Sequence, residues 1–521
     1  MSRQIIKRGI SASAAILISR ILGLLRDMLI ARYIGGGAVM SAWVLAFKIP
    51  NTFRRFFGEG AATQALVPML GHIIETEGIK NARRDFGIIL ATLGLLLCII
   101  SIIIGLGGVL IAPYFSAYRV TKALALLPIL MPYTFFICLT GVCGGILNLF
   151  GRFFVPALSS VILNLAIIIT LLIFFGTESS SLINMVSWAV LVSGVIQLGM
   201  MLILLKRIGM FPIFYLPRFK KNKAINEFIH LAIPGFIGAA ALQINTLVDS
   251  FIAIYLGNYA APALYYSERL IYLPIGIFAV SIGSSSLVTM TKLAAENKYV
   301  ELVQALNYGL KQIFFITVPI ALFILFFRYP IISLIYGGDK FGEKDIMETA
   351  WAILFYSSGI PFFAAMKIIL SAFYSRKDMR TPVKIALLCV VINFILNIIL
   401  MWPLRQGGIA LATTISSVIN GSLLLFILSR KLNLGNMKYH ETIISLIKTV
   451  VVATIAVVIG KLFYYYICKV NFINYIDWHG IVSLFLLGIC FTLVFFFVNF
   501  IIKSKEQKEW LGVFFKRFNS K

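Results

Sequence analysis

The chain has 521 residues, 60% of them hydrophobic and 13% charged, with a mean hydropathy of +0.96, which leaves too little polar surface for a water-soluble protein of this size. Its formal charge of +26 does not point to nucleic acid, because the basic residues sit mostly in short runs between apolar stretches. The six cysteines and four histidines are scattered, and no CxxC, HExxH, Walker, GxSxG or GxGxxG spacing is present, so neither an enzyme nor a cofactor is expected.

Apolar stretches of about 20 residues bounded by charge, glycine or proline predict fourteen membrane-spanning helices. They fall near 10–33, 41–70, 86–112, 124–150, 155–176, 182–205, 226–256, 261–291, 309–334, 350–374, 382–402, 407–429, 443–467 and 480–502. The basic start (Arg3, Lys7, Arg8) followed by an apolar run imitates a signal peptide, but Arg20, Arg26 and Asp27 interrupt it, so a retained first helix is expected. An even count puts both termini on one side. That side carries 30 of the 46 Lys/Arg and the opposite loops carry 7, which predicts cytoplasmic termini.

The nine remaining cations lie inside segments, and six of them crowd the first two: Arg20, Arg26, Arg32, Lys48, Arg54 and Arg55. A cation at membrane depth costs roughly 2.5–3.5 kcal/mol on insertion scales, so such residues persist where they face a hydrated cavity or a counter-ion. In the first segment Arg20, Gly23 and Asp27 share one helix face, with Arg26 offset from it. In the second, Pro50 is expected to kink or interrupt the helix, and Arg55 and Glu59 stand four apart for a mutual contact. In the eighth, Arg269 shares a face with Tyr265 and Tyr272. Arg32 fits snorkelling to the interface. As a set, Arg20, Arg26, Arg54, Arg55 and Arg269 outnumber the carboxylates near them, and a surplus of guanidinium forks suits a phosphate or pyrophosphate.

The chain also repeats. Asp27–Gly35 (DMLIARYIG) recurs as Asp249–Gly257 (DSFIAIYLG), Pro50 matches Pro274, and Gly60 matches Gly283, with offsets of 222, 224 and 223. Ile146–Asn164 resembles Ile369–Asn393. Six segments separate each pair, so the halves should share one topology and be related by an axis along the membrane normal. The expected organisation is a six-helix lobe at 1–208, a cytoplasmic linker at 209–225, a second six-helix lobe at 226–430, and segments 13 and 14 with a basic tail at 431–521.

SRILGLLRD (Ser19–Asp27) and AFKIPNTFRRFFGEGAATQALVP (Ala46–Pro68) resemble the signature of the MurJ/MviN family of lipid II flippases, in the multidrug/oligosaccharidyl-lipid/polysaccharide exporter superfamily. The resemblance implies translocation of an undecaprenyl-pyrophosphate-linked peptidoglycan precursor, lipid II, across the bacterial cytoplasmic (inner) membrane by alternating access. It maps the family's cavity arginines onto Arg20, Arg26, Arg54, Arg55 and Arg269, with Lys48 and Glu59 beside them in the motif. It also implies a sodium site near Asp249, Asn393, Asn397 and Thr413, where Asn397 replaces a second acid, with Na+ or the membrane potential as the coupling force. Just before the second motif, where the family usually has an acid, this chain has Ser41. The expected partners are lipid II, the phospholipid bilayer and peptidoglycan synthesis proteins. Segments 13 and 14 are candidates for a groove that holds the polyprenyl tail. Rival readings are an exporter of another polyprenyl-linked glycan, a drug or cation antiporter, and a non-transporting scaffold for wall-synthesis enzymes.

Overall fold

The computed structural model describes residues 2–58, 60–214, 223–432, 439–470 and 478–519. Helices make up nearly all of it, and eleven of them, among the described residues, are long and apolar enough to cross a membrane. The protein is therefore an all-α, multi-pass membrane protein, as the composition requires: in hydrocarbon every backbone polar group must be satisfied within its own segment.

The chain divides into two compact units, residues 1–262 with 339–342, and 263–338 with 343–521. The first contains α1 (Ser2–Ile34), α2 (Ala38–Phe53), α3 (Ala61–Thr76), α4 (Ile79–Ile111), α5 (Tyr118–Leu149), α6 (Phe154–Ile173), α7 (Ser179–Arg207) and α8 (Lys223–Leu256). Helix α5 is its centre and packs on α2, α4 and α7, while α1 packs on α6 and α8 on α2, α3 and α4. The α4–α5 seam shows how this works in lipid. Gly94, Ser101, Gly105 and Gly108 of α4 are buried, whereas Leu95, Ile99, Ile102, Ile103, Leu106 and Leu110 are exposed on its other side. Small residues face the neighbouring helix because lipid already solvates the large apolar ones, and close backbone approach drives association.

The second unit contains most of α9 (Ala260–Pro274), then α10 (Val280–Ala295), α11 (Tyr299–Phe326), α12 (Arg328–Tyr336), α13 (Glu343–Tyr374), α14 (Arg380–Leu404), α15 (Gln406–Lys431), α16 (Tyr439–Val470), α17 (Trp478–Ile501) and α18 (Lys505–Asn519). Packing within it runs α11 on α13, α13 on α15 and α14 on α15, the pattern that α4, α5, α6 and α7 show in the first unit. Helix α16 packs on α11 and α17, and the rings of Phe315 with Phe495 (5.3 Å) and Phe323 with Phe491 (5.1 Å) join α11 to α17.

Two elements depart from the sequence expectation. The ninth segment, expected at 309–334, ends at Phe326, and a separate short helix α12 follows. Pro330, in the first turn of α12, has no N–H to donate to the Phe326 carbonyl four residues earlier, so the α11 ladder stops at Phe326 and a new helix starts at Arg328. The basic tail contains a further helix, α18.

Candidate functional site

The second apolar segment is built as α2, a π-helical turn at Arg54–Gly58, and α3. Pro50 lies inside α2 without ending it, and the missing N–H is followed one turn later by the wider π turn. Gly60 then separates π turn from α3. A Cβ at that position would stand 2.3 Å from the Arg55 carbonyl oxygen, so only glycine closes this break. A Cβ on Gly141 would likewise meet Gly58 at 2.5 Å, because α5 presses directly on the π turn. The eighth segment repeats the device: Pro274 ends α9 and a π turn at Ile275–Ala279 leads into α10.

In the first unit the π turn presents Arg54 half-buried and Arg55 exposed. Arg55 donates one long hydrogen bond, 3.4 Å, from Nη1 to the amide oxygen of Gln243 on α8. The expected contact with Glu59 lies outside the described residues. Lys48 is half-buried on α2, the helix that also carries the stacked rings of Trp43 and Phe47 (4.7 Å). Arg20 on α1 is half-buried and has no hydrogen-bond or ion-pair partner among the described residues.

Arg26 is differently placed. It is 6% exposed and Asp27 is 1% exposed, and its Nε and Nη2 donate to Asp27 Oδ1 at 3.0 and 2.7 Å. Nη1 donates to Asn164 Oδ1 of α6 at 2.9 Å, and the Asn164 amide donates to the Ser19 carbonyl of α1 at 3.0 Å. In this structure the charge of Arg26 is compensated inside the α1–α6 seam, so Arg26 is not one of the exposed guanidiniums.

In the second unit Arg269 is exposed on α9, with its guanidinium 4.9 Å from the centre of the Tyr265 ring one turn before it. The cation–π contact shares the face that the sequence spacing indicates. On α14, Asn397 donates to Asn393 Oδ1 (2.9 Å) and Asn393 donates to Thr413 Oγ1 of α15 (3.4 Å), whose hydroxyl donates to the Ile409 carbonyl (3.0 Å). These three residues therefore meet in an interhelical chain. Asp249 belongs to the first unit, where Asn245 donates to it at 3.5 Å. Among the described residues no group of three or more His, Cys, Asp or Glu side chains is arranged to hold a metal ion.

With this arrangement in view, the comparisons with known proteins are decisive. The family described as "Lipid II flippase MurJ" matches residues 30–476. The chain belongs to the MurJ family. It is 31% identical over 465 residues to a "Probable lipid II flippase MurJ" of Buchnera aphidicola subsp. Acyrthosiphon pisum (strain APS), covering 88% of each chain. It is 30% identical over 438 residues to one of Vibrio cholerae serotype O1, covering 81% of this chain and 83% of the relative. A solved structure described as "Lipid II flippase MurJ, inward closed conformation" superposes with a TM-score of 0.77 at 26% identity, covering 95% of this chain and all of that one. A multidrug resistance MATE family transporter of the MOP superfamily, inward-facing, shares the fold at a TM-score of 0.64 and 15% identity, over 82% of this chain.

The MurJ match begins after Arg20, Arg26 and Asp27 and spans the π turns, Lys48, Arg269 and the α14–α15 polar chain. Within it, Ser41 is fully buried and its hydroxyl donates to the Asn258 carbonyl at 2.6 Å. Arg119, opening α5, donates to the Ile254 carbonyl (2.8 Å) and to Asn258 Oδ1 (3.1 Å). An ionised carboxylate in place of Ser41 could not donate to that carbonyl, so the serine gives this turn a bond that an acid would not. Sequence reasoning missed Asn164, Gln243 and Arg119. Asn164 was visible as an amide inside the otherwise apolar run VILNLAIIIT, at the end of the repeated stretch, whereas Gln243 and Arg119 carried no such signal.

Proposed function

We propose that this chain flips lipid II from the inner to the outer leaflet of the bacterial cytoplasmic membrane by alternating access. The observation that carries the reading is Arg55. It is an exposed guanidinium in a segment of membrane-spanning length, displayed by a π turn, with a long bond to a neutral amide and no carboxylate partner among the described residues. An anion held there would be bound by charge-assisted, bidentate hydrogen bonds that lysine cannot reproduce. In the cationic cavity of this proposal, Arg20, Arg54, Arg55 and Arg269 are the anion-binding groups and Lys48 adds charge. Arg26 organises α1 against α6. The protein moves its cargo without breaking a covalent bond in it.

The fuller architecture belongs to the same proposal. It has fourteen spans, both termini cytoplasmic, and α1–α7 related to α8–α15 by rotation about the membrane normal, with α16 and α17 offering a groove to the polyprenyl tail. The recurring packing pattern and the two proline-led π turns support it. Reporter fusions after Arg207 and after Lys431 should both read cytoplasmic, and opposite readings would remove the arrangement. Coupling to Na+ through Asp249, Asn393, Asn397 and Thr413, or to the membrane potential, is proposed on the oxygen-rich character of those residues. Docking of wall-synthesis proteins is proposed on the function alone.

Depleting the protein in its host tests the reading. Lipid-linked precursor should accumulate in the inner leaflet, and unchanged distribution between leaflets would refute it.

A further inference from the structure

Helix α5 turns one face to the π turn that carries Arg54, and a buried tyrosine lies on that face. Tyr133, Ile137 and Gly141 follow at four-residue spacing and so stand one above another. A Cβ on Gly141 would stand 2.5 Å from Gly58, and one on Gly58 would stand 3.5 Å from the Ile137 carbonyl oxygen and 3.6 Å from Cγ of Arg54. The stem of Arg54 and this face of α5 therefore flank the same point.

The Tyr133 ring is fixed where it is. It is fully buried and stacks on Phe47 of α2 (6.3 Å), and it fills the space that a side chain at position 194 of α7 would need, since a Cβ on Gly194 would meet its Cδ2 at 2.7 Å. Its hydroxyl has no hydrogen-bond partner among the described residues. The neighbouring amide of Gln197 is turned to other groups: its oxygen accepts from Ser159 (2.9 Å) and its nitrogen donates to Ser193 (3.4 Å). The charged side chain that acts most strongly on the hydroxyl is Arg54, ahead of Arg26. A buried hydroxyl left unsatisfied is costly, and a phenol oxygen is an acceptor that a guanidinium can use.

The sequence repeat separates the ring from its oxygen. At an offset of 223, Tyr133 corresponds to Tyr356 of α13, which is also buried in its own unit, consistent with a packing role for the ring in both. The π turn of the second unit, Ile275–Ala279, carries no cation, whereas that of the first carries Arg54 and Arg55. Of the two tyrosines, Tyr133 belongs to the unit whose π turn bears an arginine.

We infer that Tyr133 is a positioning residue for Arg54. Its phenol oxygen offers an acceptor to the inner edge of the guanidinium while the outer edge forks onto the anionic head of the cargo, so it sets affinity without touching cargo. The inference rests on the proposed lipid II transport, and it adds to that site a residue that neither charge nor exposure marks.

Binding of dye-labelled lipid II to the purified full-length chain in detergent, read by fluorescence anisotropy beside the melting temperature of each variant, tests this. Tyr133→Phe keeps the ring in its slot and removes only the oxygen. It should weaken binding about ten-fold at a melting temperature no lower than the parent's, because no hydrogen bond within the protein is lost. In an Arg54→Lys background the same change should weaken binding less than about two-fold, since the planar partner is gone. Tyr356→Phe should leave binding unchanged. Unaltered binding by Tyr133→Phe overturns the inference, as does an equal loss in the Arg54→Lys background or an equal loss from Tyr356→Phe. These outcomes leave the transport reading standing, whereas a parent protein that does not bind lipid II overturns that reading and this inference with it.

Discussion

Replacing Arg26 by alanine should destabilise the fold, whereas replacing Arg55 should not, and the contrast follows from their surroundings. Arg26→Ala removes two hydrogen bonds to Asp27 Oδ1 (3.0 and 2.7 Å) and one to Asn164 (2.9 Å), and it leaves a carboxylate that is 1% exposed. Stranding one partner of a buried ion pair costs about 3–5 kcal/mol. Arg55→Ala removes one 3.4 Å bond from an exposed side chain, for which a change within about 0.5 kcal/mol is expected. Thermal and denaturant unfolding of the purified variants in the same detergent measures both. Adding Asp27→Asn to Arg26→Ala should recover part of the loss, since the two residues are directly coupled. Arg26→Ala as stable as the parent, or a double variant no better than the single one, would refute this assignment of Arg26 to helix packing.

Arg55→Lys keeps the charge but loses the planar fork, so it should impair flipping at unchanged abundance and stability; full activity would show that charge alone suffices. Arg269→Ala removes an exposed guanidinium that lies over the Tyr265 ring of its own helix, and the variant should be made and inserted normally but fail to support growth as the only copy. Normal flipping by that variant would take Arg269 out of the site. Asp378, in the turn before α14, is partly buried, which opposes ionisation, but hydrogen bonds from Lys431 and Thr381 outweigh that and lower its carboxyl from 3.8 to about 2. The folded value lies below the unfolded one, so the contact stabilises fully above pH 4 and its contribution is lost as pH falls toward 2. Parent and Asp378→Asn proteins should differ in thermal stability at pH 5 and converge near pH 2, and parallel pH profiles would show that the pair contributes nothing.

The apolar segments were legible because lipid selects on length and hydropathy, and the helices α4 to α7 and α13 to α17 lie where those criteria place them. Pro50 and Pro274 announced an irregularity in their helices, but proline fixes only a missing donor and a local torsion. That the relief comes as a π turn, aiming Arg54 and Arg55, depends on how α5 presses against Gly58. The clearest difference concerns Arg26. Spacing along α1 set it apart from Asp27 on the helix surface, yet a flexible guanidinium bends back to its sequence neighbour because Asn164 on α6 holds the other edge. Partners supplied by another helix leave no periodic trace, so which of several arginines is neutralised could not be read from the chain. Helix α18 escaped for a different reason: it is too short and too charged to register as a span.

The most direct measurement is lipid II movement in vesicles that contain only the purified full-length chain, with labelled lipid II and an impermeant reagent reporting the fraction in the outer leaflet. The expected result is protein-dependent exchange of lipid II between leaflets that Arg55→Lys slows while remaining folded and inserted. Exchange no faster than in protein-free vesicles, under gradients of Na+ and of membrane potential alike, would contradict the assignment of flipping to this chain.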